Sequence, residues 1–261
     1  METVIYEKQN HMAFVTLNRP QVRNAYNDQM NGELDTVWKD VRGDANVWVA
    51  VLTGAGREAF CAGRDAKELS EYQQRGQLVP RYDPASPTYG QFGAHLGNYN
   101  ISKPLVAAIN GFAVGGGLGM ILACDLRIMS ETAWLGDLHV NIAQVGSTWP
   151  IGQAMPVAIA AELVMMGNRI SAQRAYEIGL VNKVVPPDAM MAEATRVAER
   201  VCEMAPVAVQ RSKEIMRTLL RPEAGLMQLA EHYMAEMRLT EDGREGPLAF
   251  REKRKPVWKG R

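Results

Sequence analysis

The sequence predicts an α/β fold that passes into a mainly helical C-terminal region. Three observations carry this. Continuous apolar runs at Trp48–Leu52 and Leu105–Ile109 read as strands covered on both faces. Met30, Leu34, Val37, Trp38 and Val41 recur at helical spacing before the first of those runs. Strand–strand–helix units then repeat, which places helices outside sheets, and from Ile170 onward the pattern is mainly helical.

Taken in order, Val4–Glu7 and Ala13–Leu17 form an opening hairpin with Asn10-His11 near its turn, and Pro20 ends the second strand. A helix runs from about Asn27 to Arg42. A buried strand, Val47 to Thr53, leads into Phe60-Cys61-Ala62-Gly63-Arg64-Asp65-Ala66-Lys67-Glu68. The prolines and aromatics between Ser70 and Gly97 break the pattern, and a loop of that length inside a compact domain is usually functional or mobile. The Leu105–Ile109 strand, bounded by Pro104 and Asn110-Gly111, is followed by Gly115-Gly116-Gly117 and a buried helix starting near Leu118. Ser171 caps a helix over Ala172–Ile178 that Gly179 closes. A short strand, Leu180–Val185, stops at Pro186-Pro187. Helices follow at about Asp188–Met204, Pro206–Leu220, Pro222–Leu239 and Gly246–Lys253. Methionines such as Met204, Met216, Met227, Met234 and Met237 belong to core or subunit contacts.

The chain has 261 residues, 47% of them hydrophobic and 22% charged, and a net charge of zero. That balance suggests neither nucleic acid nor an anionic membrane as partner. No apolar run approaches the length of a membrane span, and METVIYEKQN lacks the pattern of a signal peptide. Cys61, Cys124 and Cys202 are scattered and read as reduced, buried residues of a cytoplasmic protein. No metal-ligand spacing, GK[ST] phosphate loop or dinucleotide fingerprint is present, so no permanently bound cofactor is expected.

Two stretches carry chemistry. Adjacent glycines at a helix start permit unusual backbone angles and leave N–H groups at the positive end of the helix dipole. The Phe60–Glu68 segment likewise follows a strand with a turn of small residues. Two strand-end turns aimed at one point make a hole for developing negative charge.

These stretches and four others resemble the crotonase, or enoyl-CoA hydratase/isomerase, superfamily. The matching segments are NRPQVRNA (Asn18 to Ala25), FCAGRDAKEL (Phe60 to Leu69), INGFAVGGG (Ile109 to Gly117), ACDLRI (Ala123 to Ile128), ISAQRAYEIGLVNKVV (Ile170 to Val185) and FREKRKPVWKG (Phe250 to Gly260). They fall in the family's order over nearly the whole chain. The resemblance implies a spiral of ββα units over residues 1–195 holding an acyl-CoA thioester site. Residues 196–261 would be a helical region that assembles homotrimers, often paired into hexamers. It implies backbone donors at Arg64 and Gly116 for the thioester oxyanion, and a lid over the acyl pocket between Ser70 and Gly97. It implies CoA contacts from Arg23, Ala62, Arg64, Asp65, Ala66 and Lys67, with Phe250 and Lys253 of a neighbouring subunit covering the adenine end.

The chain departs from the family where hydratases carry two glutamates. One position is Gly119; the other, in Trp134–Ala143, is His139. His139 becomes the candidate acid/base, with Asp137 expected on the same face by alternation. The competing reading is a histidine merely hydrogen-bonded in the pocket wall. Glu68, Asn141 and Ser147 are further polar candidates for the pocket wall, and His95, in the lid, could reach the acyl group. The Arg64 guanidinium, where the family has a small residue, would hold a carboxylate or the CoA pyrophosphate, or face solvent in an ion pair. Two function classes follow: an acyl-CoA enzyme with altered acid/base residues, and an acyl-CoA-binding protein without turnover.

Overall fold

The computed structural model describes residues 1–79, 86, 93–146, 148–218, 232–233 and 235–259. Among these, the strands sort into two sheets. The larger takes β1 (Val4–Gln9), β2 (Met12–Leu17), β3 (Val49–Gly54), β5 (Leu105–Ile109), β7 (Leu126–Ser130) and β10 (Lys183–Val185), in that spatial order. The smaller takes β4 (Ala59–Cys61), β6 (Phe112–Val114), β8 (Trp134–Gly136) and β9 (Arg169–Ser171). Only the β1–β2 and β8–β9 pairs are antiparallel. From β3 to β8 successive strands alternate between the sheets, so β3–β4, β5–β6 and β7–β8 each give one strand to either. That alternation is the ββα spiral.

Helix α1 (Asp28–Gly43) illustrates how the layers are held. Asn27 accepts the Met30 N–H at 2.9 Å as N-cap, and Met30, Leu34, Val37, Trp38 and Val41 are all buried. Each large side chain so buried contributes about 1.5–3 kcal/mol of transfer free energy. The Trp38 indole N–H donates to the Gly93 carbonyl at 2.9 Å, so its polar atom is also satisfied. Helix α2 (Ala66–Gln74) runs into the region where the sequence pattern breaks, and α3 (Gly116–Ala123) begins inside the glycine triplet. Arg127 binds the carbonyls of Ile121, Leu122 and Cys124 at the C-terminal end of α3, and that of Leu180. A cation there satisfies the orphan carbonyls and complements the helix dipole.

Helices α4 (Thr148–Ala154) and α5 (Val157–Met166) follow, then α6 (Ala172–Glu177), capped by Ser171 at Arg174 N as expected. Helix α7 (Met190–Cys202) packs Ala194 and Ala198 on the outer face of the large sheet and runs across residue 195. Helices α8 (Pro206–Thr218) and α9 (Glu241–Arg251) follow, with helical residues also at 232–233 and 235–239. The α9 helix starts earlier than its apolar pattern suggests because the Thr240 hydroxyl caps the Gly243 N–H at 2.8 Å. Most of the expected Pro222–Leu239 helix, with Met227 and Met234, lies outside the described residues. No helix among them is long and apolar enough to cross a membrane.

Candidate active site

The small sheet delivers the candidate residues to one edge. Strand β6 lies between β4 and β8 and is parallel to both, with Cys61 opposite Ala113 and Val114 opposite Gly136. Their C-terminal ends therefore emerge together, as ligand sites in parallel α/β sheets do. The Ala62–Asp65 turn leaves β4, the Gly115–Gly116 turn leaves β6, and Asp137 leaves β8.

The first two turns touch. A Cβ on Gly63 would lie 3.6 Å from the Gly116 nitrogen and 3.1 Å from the Val114 carbonyl oxygen. Gly63 has φ +85° and Gly115 φ +54°, angles that L side chains rarely adopt. Arg64 is held in a parallel bridge to Tyr26, with Tyr26 N donating to Gly63 O and Asp65 N to Tyr26 O, each at 2.9 Å. Among the described residues, neither the Arg64 nor the Gly116 backbone N–H donates to another backbone group. Tyr26, 4% exposed, packs its ring against Gly116: a Cβ there would sit 2.6 Å from the Tyr26 hydroxyl oxygen.

His139 and Asp137 are bonded, Nδ1 to Oδ1. The pairing does not arise by strand alternation. Strand β8 ends at Gly136, Leu138 turns the chain (φ −101°, ψ 14°), and His139 opens a 3-10 turn, His139–Ile142. Asp137 is 3% exposed, whereas the His139 side chain keeps 28% of its surface. An ionised carboxylate only accepts, so such a pair puts a proton on Nδ1 and leaves Nε2 as the outward ring nitrogen. Nε2 lies 3.5 Å from where a Gly115 Cβ would be, on the side of the glycine turn. Gly146 closes the other side, where a Cβ would collide with Nδ1. The 3-10 turn is braced by α9 of the same chain, whose Gly246 packs directly on Ile142 and Ala143.

The Arg64 guanidinium does not face solvent; its side chain is 11% exposed. Nη2 contacts Asp28 Oδ1 and Glu68 Oε2, each at 2.7 Å. Asp28 Oδ2 accepts the Tyr72 hydroxyl at 2.6 Å, and Glu68 accepts the Asp28 N–H in the first turn of α1. Burial raises the Glu68 carboxyl above its usual range, opposed by the nearby Arg64 charge. Tyr26, Asp28 and Tyr72 do not stand out in the sequence; the i,i+4 spacing of Arg64 and Glu68 is the one signal there.

The residues expected at CoA are dispersed in role. Asp65 caps α2 through Lys67 N and Glu68 N and pairs with Arg19 at 2.9 Å. Arg23 pairs with Glu58 at 2.6 Å, both well exposed, and its carbonyl accepts the Ala62 N–H. Ala66 and Lys67 line the start of α2, Phe250 is 65% exposed at the end of α9, and Lys253 follows in a left-handed conformation, φ 54°.

His95 packs edge-on to the Tyr26 ring at 6.5 Å, whereas Asn141 turns toward Gly167. Ser147 and residues 80–85 and 87–92 of the expected lid lie outside the described residues. Burial pushes the Cys61 and Cys124 thiols up to about 12, which removes them as nucleophiles. Cys202 is half-buried rather than buried. No group of three or more potential metal ligands occurs among the described residues.

The sequence model of a family described as enoyl-CoA hydratase/isomerase matches residues 7–261. An (E)-benzylidenesuccinyl-CoA hydratase of Thauera aromatica is 38% identical over 98% of this chain and 99% of its own. A short-chain-enoyl-CoA hydratase of Clostridium acetobutylicum is 34% identical over 98% and 97%. Among solved structures, a carnitinyl-CoA hydratase from Mycobacterium avium superposes with a TM-score of 0.89 at 35% identity, covering 100% of both chains.

Proposed function

Because the chain belongs to the enoyl-CoA hydratase/isomerase family and is an acyl-CoA-processing enzyme of it, we propose that it adds or removes water across the double bond of a substituted enoyl-CoA. The thioester oxygen accepts the Arg64 and Gly116 backbone N–H groups, and negative charge building there in the enolate is stabilised by donors already in place. His139 Nε2 is the principal acid/base. In the hydration direction it takes the proton of water as oxygen bonds to the acyl β-carbon, and the resulting imidazolium returns a proton to the α-carbon. Asp137 fixes the tautomer and stabilises the imidazolium.

The observation that supports this reading most is the meeting, at one edge of the small sheet, of two backbone turns and a histidine whose ring lies against the glycine turn. The names of two relatives, benzylidenesuccinyl-CoA hydratase and carnitinyl-CoA dehydratase, support an acyl group larger than crotonyl. The CoA moiety is assigned to Arg23, Ala62, Asp65, Ala66 and Lys67 through the 62–67 turn, with Phe250 and Lys253 over the adenine. Residues 196–261 are the proposed trimer-forming region; the exposed Val207, Ile215 and Leu239 supply apolar surface for it.

A mass-spectrometric screen of enoyl- and hydroxyacyl-CoA thioesters tests the reaction. A product shifted by the mass of water is expected. Tight binding of thioesters with no product from any of them would favour a non-catalytic binding protein. Light scattering tests the assembly, and a monomer would exclude Phe250 and Lys253 acting on a neighbour's site.

A further inference from the structure

Arg64 holds donors that the protein itself does not use. Its Nη2 serves both Asp28 and Glu68, but Nε and Nη1 are buried and have no acceptor among the described residues. Leaving charged donors unpaired away from water costs on the order of a few kcal/mol. Buried polar groups in native proteins are nearly always satisfied, and an exception calls for an explanation. The position supplies one. Arg64 belongs to the turn assigned to the oxyanion, its guanidinium lies 5.9 Å from the Tyr26 ring centre, and that ring packs on Gly116. The idle donors are thus within one aromatic ring of the second turn.

We propose that the Arg64 guanidinium is a specificity-determining group that binds a second carboxylate on the acyl chain, so that the preferred substrates are CoA monothioesters of dicarboxylic acids. The inference rests on the acyl-CoA reading above and specifies its substrate class. A charge-assisted bond from guanidinium to carboxylate is among the stronger contacts available to a small ligand.

Charge balance is the point against it, since Asp28 and Glu68 already oppose one guanidinium. A third carboxylate is accommodated when one proton enters with it. Glu68 faces Arg64, Asp28 and Asp65, and its carboxyl is already raised by burial, so it is the group that takes the proton.

The test compares two saturated thioesters that undergo no hydration, glutaryl-CoA and its neutral near-isostere 5-methylhexanoyl-CoA, by titration calorimetry on the full chain. The wild type is expected to bind glutaryl-CoA at least about tenfold more tightly, about 1.4 kcal/mol. In Arg64→Leu and Arg64→Gln that ratio should fall to within about twofold, with Arg64→Lys between. Equal affinities in the wild type, or a preference that survives Arg64→Leu, overturn the proposal. The wild-type comparison decides the matter if the variants do not fold. Equal binding of both thioesters sinks the carboxylate subsite alone; failure of both to bind sinks the acyl-CoA reading with it.

Discussion

Asp137 grips Nδ1 of His139 across a single intervening residue, and this leaves Nε2 turned toward Gly115. The geometry fixes more than proximity. A buried carboxylate behind a half-exposed imidazole sets the tautomer, the ring plane and the direction of the lone pair together. Gly146 packs against Nδ1 and Gly115 against the Cε1–Nε2 edge of the ring. On the proposed reading the histidine is a directed base, and its contribution is measurable.

His139→Ala should lower kcat by about 10²–10⁴-fold on whichever enoyl-CoA the enzyme turns over, the range usual for a general acid/base. Affinity for a saturated thioester should hold, because the proposed oxyanion donors are backbone groups. A loss of less than about threefold would return His139 to the pocket wall.

Asp137→Asn keeps the shape but lets an amide donate to Nδ1, which places the imidazole proton on Nε2. The base is then blocked without being removed. A fall in kcat of at least about tenfold is expected with KM little changed, together with a shifted pH–rate profile. An unchanged profile would mean that the aspartate only supports the fold around it.

How far the sequence disclosed this site depended on the scale of the feature. Runs such as Leu105–Ile109 announce buried strands because both faces are covered, and they set the spiral. Strands β6 and β8 have three residues each, too few for any period to show. Their parallel pairing, which brings Asp137 beside the glycine turn, is a long-range property. His139 was legible as a titratable residue in an apolar setting. Its turn conformation was not, since Leu138 and His139 have no local preference that forces it. The role of Tyr26 was hidden for a similar reason: an aromatic after NRPQVRNA reads as core, and only the fold brings it against Gly116 and Arg64.

Glu33 ties the N-terminal strand to α1, and its effect should depend on pH. It accepts N–H groups of Glu2, Thr3 and Val4 at 3.2, 3.0 and 2.9 Å, and the Thr3 hydroxyl at 2.9 Å. Burial raises its pKa, but these bonds outweigh it and the net shift is downward. A depressed carboxyl contributes stability above its unfolded pKa, and the contribution is lost as pH falls through the folded value. Glu33→Gln should therefore cost about 1 kcal/mol near neutrality, discounted for its partial exposure. Urea unfolding of both proteins should show that gap closing below the ordinary carboxylate range. A gap that persists or widens in acid would contradict the assignment.

Gly119 tests the proposed reaction from the opposite direction, by adding a carboxylate at the position where hydratases of the family are expected to carry one. It sits in the first turns of α3, exposed, with no described atom within 4 Å of the place a Cβ would take. Glutamate is a better helix former than glycine by roughly 0.5 kcal/mol, and near the N-terminal end its charge suits the dipole. Gly119→Glu should therefore fold at least as well as the wild type. If Gly119 and His139 occupy the positions of a water-clamping carboxylate pair, the wild type hydrates crotonyl-CoA slowly or not at all. Gly119→Glu combined with His139→Glu should then raise that rate by at least about tenfold, the low end of what one acid/base group contributes. Loss of absorbance by the conjugated thioester follows the reaction directly. Rapid hydration of crotonyl-CoA by the wild type would show that its acid and base lie elsewhere, and the search would move to the residues between Ser70 and Gly97.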